Sequence, residues 1–208
     1  MTIKDWLEGL SYKLVQGSLD VEVNEVVYDS RKAAPGAVFV CMKGTKIDSH
    51  DFVGQVTDAG VKVLVTEHAV EAPADVTVVE TANGREALAL LSAARFGYPS
   101  RKLTMIGVTG TKGKTTTTHM IKTILETAGK KTGMIGTNGV YIGEEHFPTV
   151  NTTPESYDLH RYFAKMVEEV CACCVMEVSS QAMKMHRVAG IQFDYGLFTN
   201  ISGSYRKR

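Results

Sequence analysis

Apolar residues fall along this chain in short β-type runs separated by longer stretches of helical spacing. In the first half the runs are Val26-Val27-Tyr28, Ala37-Val38-Phe39-Val40-Cys41, Val61-Lys62-Val63-Leu64-Val65 and Val76-Thr77-Val78-Val79. Between the second and third, the pattern predicts a helix from Asp51 to Ala59, stopped by Gly60. A second helix, Gly84 to Arg95, puts Leu88, Leu91 and Ser92 on one side and ends near Gly97. After the turn-rich, basic stretch Phe96-Gly97-Tyr98-Pro99-Ser100-Arg101-Lys102 the pattern resumes. It predicts a strand over 103–109, a helix to Ala128 with the stripe Met120, Ile121, Ile124, Leu125 and Ala128, and a strand over 131–135. A turn-rich segment over 136–150 follows. Beyond it are expected a helix from Pro154 to Glu169 and strands over 171–176 and 193–198. Continuous apolar strands alternating with helices imply parallel sheets covered on both faces. The expected fold is therefore α/β, with a small N-terminal domain over 1–98 and a second parallel-sheet domain over 99–208.

Composition adds little to this picture. The chain has 208 residues, 44% of them apolar and 22% charged, as expected of a globular protein. Lys+Arg and Asp+Glu are both 23, so the balance asks for no nucleic-acid or acidic-membrane partner. No apolar run is long enough to span a bilayer, the N-terminus lacks a signal pattern, and a cytoplasmic location is the expectation. Cys41, Cys171, Cys173 and Cys174 show no zinc-ligand spacing, and successive strand residues face opposite ways, so buried thiols are expected. His50, His68, His119, His146 and His160 form no metal or triad spacing and are read as structural.

The chemistry concentrates in Gly107-Val108-Thr109-Gly110-Thr111-Lys112-Gly113-Lys114-Thr115-Thr116, a glycine-rich turn between a strand and a helix. Such a turn aims backbone N–H groups at one anion, and the helix N-terminus adds partial positive charge. Lys114 brings a full charge and Thr115 an oxygen suited to Mg²⁺. The commonest phosphate-loop pattern would place a glycine at position 108; here it is valine, and the shorter G-x-x-G-K-T-T runs from Gly110 to Thr116. Glu177 closes the run Cys173-Cys174-Val175-Met176 at a strand end, where ligands of nucleotide-binding α/β folds sit. An acid there can hold Mg²⁺; the alternative is a solvated loop carboxylate. Ser179 and Ser180 extend the polar patch. In Asn151-Thr152-Thr153-Pro154-Glu155 the residue types favour helix capping by Thr153 with Pro154 at the first helical position. Asp29-Ser30-Arg31 reads as a turn with one exposed basic residue. His186-Arg187 suits a phosphate or carboxylate, or is a surface pair.

Taken together, these residues resemble the Mur ligase family, the ATP-dependent amide-bond ligases of peptidoglycan precursor synthesis. In the first half the likeness rests on Asp29-Ser30-Arg31, Pro35-Gly36, Phe39-Val40, Lys43-Gly44 and Asp48-Ser49-His50-Asp51-Phe52. In the second it rests on Gly110–Thr116, Asn151-Thr152-Thr153-Pro154, Glu177-Val178-Ser179-Ser180-Gln181 and Phe198-Thr199-Asn200-Ile201-Ser202. Within the family the likeness is to the members that add a third amino acid, meso-diaminopimelate or L-lysine, to UDP-N-acetylmuramoyl-L-alanyl-D-glutamate. The members that add a D-alanyl-D-alanine dipeptide would not be expected to carry both the Asn-Thr-Thr-Pro and Glu-Val-Ser-Ser segments. Folylpolyglutamate synthases share the phosphate loop but lack such an N-terminal domain.

The resemblance implies a UDP-binding first domain in which Tyr28 and Ser30 contact the uridine end, flanked by Thr45, Lys46 and Ile47. It implies that Gly110, Thr111, Lys112, Gly113, Lys114, Thr115 and Thr116 hold the ATP phosphates, with Thr115 and Glu177 on Mg²⁺ and Lys114 and Glu177 catalytic. Asn151, Thr152, Thr153, Ser179 and Arg187 would line the muramoyl-dipeptide, making the Asn151-Thr152 pair functional rather than part of a cap. Met185 stands where relatives often carry glutamine, so no polar contact is expected from it. The implied chemistry is two-step acyl activation: a carboxylate takes the γ-phosphoryl group of ATP, and an amine then displaces phosphate. The likeness ends at Ser202, before the family's Asp-His pair, its carbamylated lysine and its amino-acid-binding domain. A truncated ATPase domain in a ligase fragment is therefore one expectation, with no amino-acid-dependent ADP release from this chain alone. A non-catalytic nucleotide or UDP-sugar-binding module is the other.

Overall fold

β-branched runs and helical stripes alternate twice along the chain, and each series closes on a core of its own. The computed structural model describes residues 1–44 and 47–202, and the chain divides into compact units Met1–Arg95 and Phe96–Arg208.

The first unit contains α1 (Ile3–Trp6), β1 (Tyr12–Gln16), β2 (Glu25–Val27), β3 (Ala37–Val40), α2 (Val53–Asp58), β4 (Val63–Thr66), β5 (Thr77–Thr81) and α3 (Gly84–Arg95). Its sheet runs in the order β1-β5-β4-β3-β2. Four strands are parallel, with Phe39 opposite Leu64 and Leu64 opposite Val78. Every residue of β3 and β4 is buried because both faces are covered. Phe39, Leu64 and Val78 pack with Val53 and Val56 of α2 on one face. Helix α3 lies against β2, β3 and β4 and buries Leu88 and Leu91. Two elements lay outside the sequence reading. Helix α1 is only one turn long, and β1 pairs antiparallel with β5 as a largely exposed edge strand, too polar to show as a run.

The second unit contains β6 (Thr104–Thr109), α4 (Lys114–Thr127), β7 (Thr132–Gly136), β8 (Gly139–Ile142), β9 (Glu145–Phe147), α5 (Ser156–Glu168), β10 (Cys173–Glu177), α6 (Ser180–Lys184) and β11 (Tyr195–Phe198). The sheet order is β11-β6-β10-β7-β8-β9. Strands β11, β6, β10 and β7 are parallel, while β8 and β9 continue the sheet antiparallel. The segment 136–150, expected to be turns, thus holds two strands. Its short strands and three glycines hid the pattern. Helix α5 covers one face, where Leu159, Phe163 and Met166 meet Met105, Ile135, Cys174 and Met176. Helix α4 covers the other with Ile121 and Leu125 against Ile106, Val108 and Val175.

The stripe expected on α4 is narrower than its sequence suggests. Met120 is 60% and Ile124 64% exposed, because a turn of about 100° per residue rotates them off the face that carries Ile121 and Leu125. The cap expected before α5 also differs. Glu155, not Thr153, is the N-cap, its carboxylate accepting from the Ser156 N–H at 3.3 Å, and Pro154 precedes the helix. All four cysteines are buried free thiols. Burial pushes the Cys41 thiol up to about 12 and raises Cys174 as well, which makes both inert. Among the described residues, no helix is long and apolar enough to cross a membrane.

Candidate functional site

Parallel register brings the C-terminal ends of β6, β10 and β7 side by side, with Glu177 opposite Val108 and Met176 opposite Ile135. Residues that follow these strands therefore share one rim of the sheet. The glycine-rich loop leaves β6 there. Gly110 has φ 135° and Gly113 φ 85°, backbone that an L side chain resists. Gly110 has a second reason to be glycine: a Cβ would lie 2.2 Å from the Thr199 hydroxyl oxygen. Lys114, the first residue of α4, arches back to donate to the Gly110 carbonyl at 2.8 Å. An ammonium has three donors, so two remain for another oxygen.

The segment after β11 braces the loop. Asn200 accepts from the Thr111 N–H through its carbonyl (2.9 Å) and from the Lys112 N–H through its side-chain oxygen (3.1 Å). Its amide donates to the Lys112 carbonyl at 3.0 Å, and the Thr199 hydroxyl donates to the same carbonyl at 2.7 Å. Two N–H groups of the loop are thus committed to Asn200. The first-turn donors of α4, on Lys114, Thr115 and Thr116, have no intrahelical acceptor and are open to an anion. Thr199 and Asn200 were legible as part of a motif, but their bracing role was not, since some 88 residues separate the partners.

Glu177 is the last residue of β10 and is 1% exposed. Its carboxylate accepts from the Thr115 hydroxyl (2.9 Å), the Thr137 N–H (2.9 Å) and the Thr137 hydroxyl (3.2 Å). No Lys, Arg or His among the described residues forms an ion pair with it. The solvated-loop reading is excluded by this burial. Gly136 makes room for the carboxylate: a Cβ there would sit 2.4 Å from Oε1. A buried carboxylate beside a threonine hydroxyl, with no cation paired to it among the described residues, is a hard-oxygen donor set that fits Mg²⁺.

The Asn151–Thr153 segment meets the same rim. Thr153 is fully buried; its hydroxyl donates to the Glu177 carbonyl at 2.9 Å and accepts from the Ser179 N–H at 3.1 Å. Thr152 lies 3.1 Å from the Thr137 hydroxyl, oxygen to oxygen. Asn151 is exposed. Ser179 caps α6, its hydroxyl accepting from the Ala182 N–H at 3.1 Å. Helix α6 ends with His186 at φ 53° and with the bonds His186 N–H to Met183 O and Arg187 N–H to Ala182 O. That is a Schellman turn with histidine in the left-handed position. It turns Arg187 back onto Glu155 (3.3 Å) and the Thr153 carbonyl (3.1 Å), so Arg187 is a held side chain rather than a loose surface cation. Met185 is half-buried.

In the first unit, Tyr28 follows β2 directly and is half-buried, and Ser30 opens a short 3-10 turn. Arg31 pairs with Asp29 through two bonds of 2.8 and 2.6 Å, holding the Asp29 carboxyl at about 2. Ile47 is 63% exposed, while Thr45 and Lys46 lie outside the described residues. Asp48, His50 and His68 form a cluster of side chains that could in principle bind a metal ion. Both His50 nitrogens are already engaged, Nδ1 with Asp48 (2.5 Å) and Nε2 with the Glu67 N–H (2.9 Å). The group braces the turn after β3; it brings together two histidines that the sequence spacing had not linked.

Residues 22–96 match the Mur ligase family catalytic domain and residues 108–204 the Mur ligase middle domain. The chain belongs to the Mur ligase family. Its relatives include the UDP-N-acetylmuramoyl-L-alanyl-D-glutamate--2,6-diaminopimelate ligase of Clostridium perfringens, 46% identical over 97% of this chain. The enzyme of the same name from Geobacillus thermodenitrificans is 45% identical over 89% of this chain. This Mur ligase chain spans 42% and 37% of the length of those two relatives. A solved UDP-N-acetylmuramoyl-L-alanyl-D-glutamate--2,6-diaminopimelate ligase superposes over 100% of this chain and 42% of its own, with TM-score 0.82. At 18% identity it shows the fold. A MurF from Acinetobacter baumannii superposes over 86% of this chain and 36% of its own, at TM-score 0.59 and 25% identity.

Proposed function

We propose that this chain carries the nucleotide-sugar-binding and ATP-binding parts of a ligase that adds the third amino acid to UDP-N-acetylmuramoyl-L-alanyl-D-glutamate. Diaminopimelate is the amino acid named for its relatives. The observation that carries this reading is Glu177: a buried carboxylate with no ion-pair partner among the described residues, aimed at Thr115 beside a glycine-rich loop. Gly110–Thr116 hold the ATP phosphates, with Lys114 and the first turn of α4 as donors. Thr115 and Glu177 hold Mg²⁺, which when bound neutralises charge on the phosphate oxygens. Lys114 stabilises the charge that builds on the γ-phosphoryl group as the substrate's carboxylate attacks it and ADP leaves; the incoming amine then displaces phosphate from the acyl phosphate and loses a proton as the amide forms.

Asn151, Thr152, Thr153, Ser179 and Arg187 line the muramoyl-dipeptide, and Tyr28, Ser30, Thr45, Lys46 and Ile47 take the uridine end. Arg187, pinned between Glu155 and Thr153, holds its guanidinium at a set position, as orientation of a carboxylate requires.

Calorimetric titration of this chain with ADP tests the reading. Binding should require Mg²⁺. Lys114→Ala should weaken it about tenfold or more, and Glu177→Gln should remove the Mg²⁺ requirement. Affinity that neither substitution changes would overturn the proposal.

A further inference from the structure

Thr137 is the first residue after β7 and belongs to none of the motifs discussed above. It nevertheless touches both halves of the rim. Its N–H and hydroxyl hold the two oxygens of Glu177, at 2.9 and 3.2 Å, and its hydroxyl oxygen lies 3.1 Å from that of Thr152. Proton counting fixes the direction of this chain. A carboxylate only accepts, so the single Thr137 proton goes to Glu177. The Thr137 oxygen must then accept, and Thr152 is the donor in the contact between the two hydroxyls. The Thr152 lone pairs are left for a hydrogen-bond donor.

We infer that Thr137 is a positioning residue that couples the metal–nucleotide site at Glu177 to the acceptor site at Thr152. It makes the two ligands bind cooperatively and presents Thr152 to an N–H or O–H of the acceptor. The inference rests on the assignment of Glu177 to Mg²⁺–nucleotide and of Thr152 to the acceptor. The coupling comes from ordering. Thr137 is exposed and Thr152 half-buried, so without ligands water competes for the bonds of both hydroxyls. Mg²⁺–nucleotide at Glu177 fixes the carboxylate, which fixes Thr137 and in turn Thr152. The acceptor then binds a hydroxyl whose ordering has already been met, and by linkage it tightens the nucleotide equally.

The test is a set of calorimetric titrations of this chain with UDP-N-acetylmuramoyl-L-alanyl-D-glutamate, with and without saturating MgADP. In the wild type MgADP should raise acceptor affinity about fivefold or more. Thr137→Val, which matches threonine in shape and lacks the hydroxyl, should reduce that factor to about one. Thr137→Ser should keep it. Each ligand alone should bind Thr137→Val within about threefold of wild type, a pattern that a merely structural role would not produce. Thr152→Val supplies a second arm: it should abolish the coupling too, and the double variant should be no worse than either single one. Coupling that survives in Thr137→Val, or no coupling in the wild type, overturns the inference while the nucleotide assignment stands. Failure of the wild type to bind MgADP overturns that assignment, and the inference with it.

Discussion

Thr153→Val is the substitution from which most can be learned about how the rim is held. Valine has nearly the shape of threonine, so no cavity opens and the change isolates the hydroxyl. That hydroxyl is fully buried and ties three elements together: it donates to the Glu177 carbonyl at the end of β10 and accepts from the Ser179 N–H at the start of α6. Its own backbone carbonyl, on the segment before α5, receives Arg187. Valine leaves a buried carbonyl short of a partner, at about 1–3 kcal/mol, and a half-buried N–H, at about 1 kcal/mol. The expected loss is about 2–4 kcal/mol. For a unit of roughly a hundred residues, that lowers the melting temperature by about 10–20 °C. Thr153→Ser keeps the hydroxyl and gives up one methyl, at about 1 kcal/mol. Thermal and urea unfolding of the three proteins, followed by circular dichroism, measure the order wild type, Ser, Val. A serine variant less stable than the valine variant would refute the reasoning, because packing rather than hydrogen bonding would then be what Thr153 contributes.

Helix α5 closes in a Schellman turn, with Cys171 N–H on Met166 O and Val170 N–H on Val167 O, and places β-branched Val170 at φ 57°. Val170→Gly should therefore raise stability by about 0.5–1 kcal/mol, seen as a higher urea midpoint; a lower midpoint would show that the left-handed turn costs valine nothing here. His160 is fully buried, neither ring nitrogen has a hydrogen-bond partner among the described residues, and burial lowers its pKa from 6.5 to about 4. The unfolded chain binds that proton more readily, so the neutral ring's contribution is complete above pH 6.5 and is lost as pH falls towards 4, by about 3 kcal/mol in all. His160→Leu should flatten the stability profile between those limits, and an unchanged slope would assign it to other groups. Gly136→Ala brings a Cβ within 2.4 Å of the Glu177 carboxylate. It should weaken MgADP binding about tenfold in titration with the circular dichroism spectrum retained, and unchanged affinity would mean that the carboxylate position is not critical.

Much of this architecture is local and so can be read along the chain. The buried parallel strands appear as apolar runs because both of their faces are covered. The helix over 84–95, the glycine-rich loop and the strand-end acid follow from periodicity and from what a phosphate requires of a backbone. The misses share a cause as well. Strand β1 and the β8–β9 hairpin are edge or antiparallel elements whose pairing, not composition, makes them strands. Thr153 has the chemistry of a helix cap and sits two residues before the observed one. Only the fold shows that its hydroxyl serves β10 and α6 instead.

What the sequence by itself determined is the set of chemical parts: a turn that can hold phosphate, a lysine, a hydroxyl and an acid, each placed at a strand end. What the tertiary structure decided is which parts meet. Parallel pairing of β10 with both β6 and β7 carries Glu177 to Thr115, 62 positions away, and to Thr137, 40 positions away. The return of the chain after β11 places Asn200 under the loop. Strand register is a long-range property, set by packing on both faces of the sheet, and no local pattern contains it.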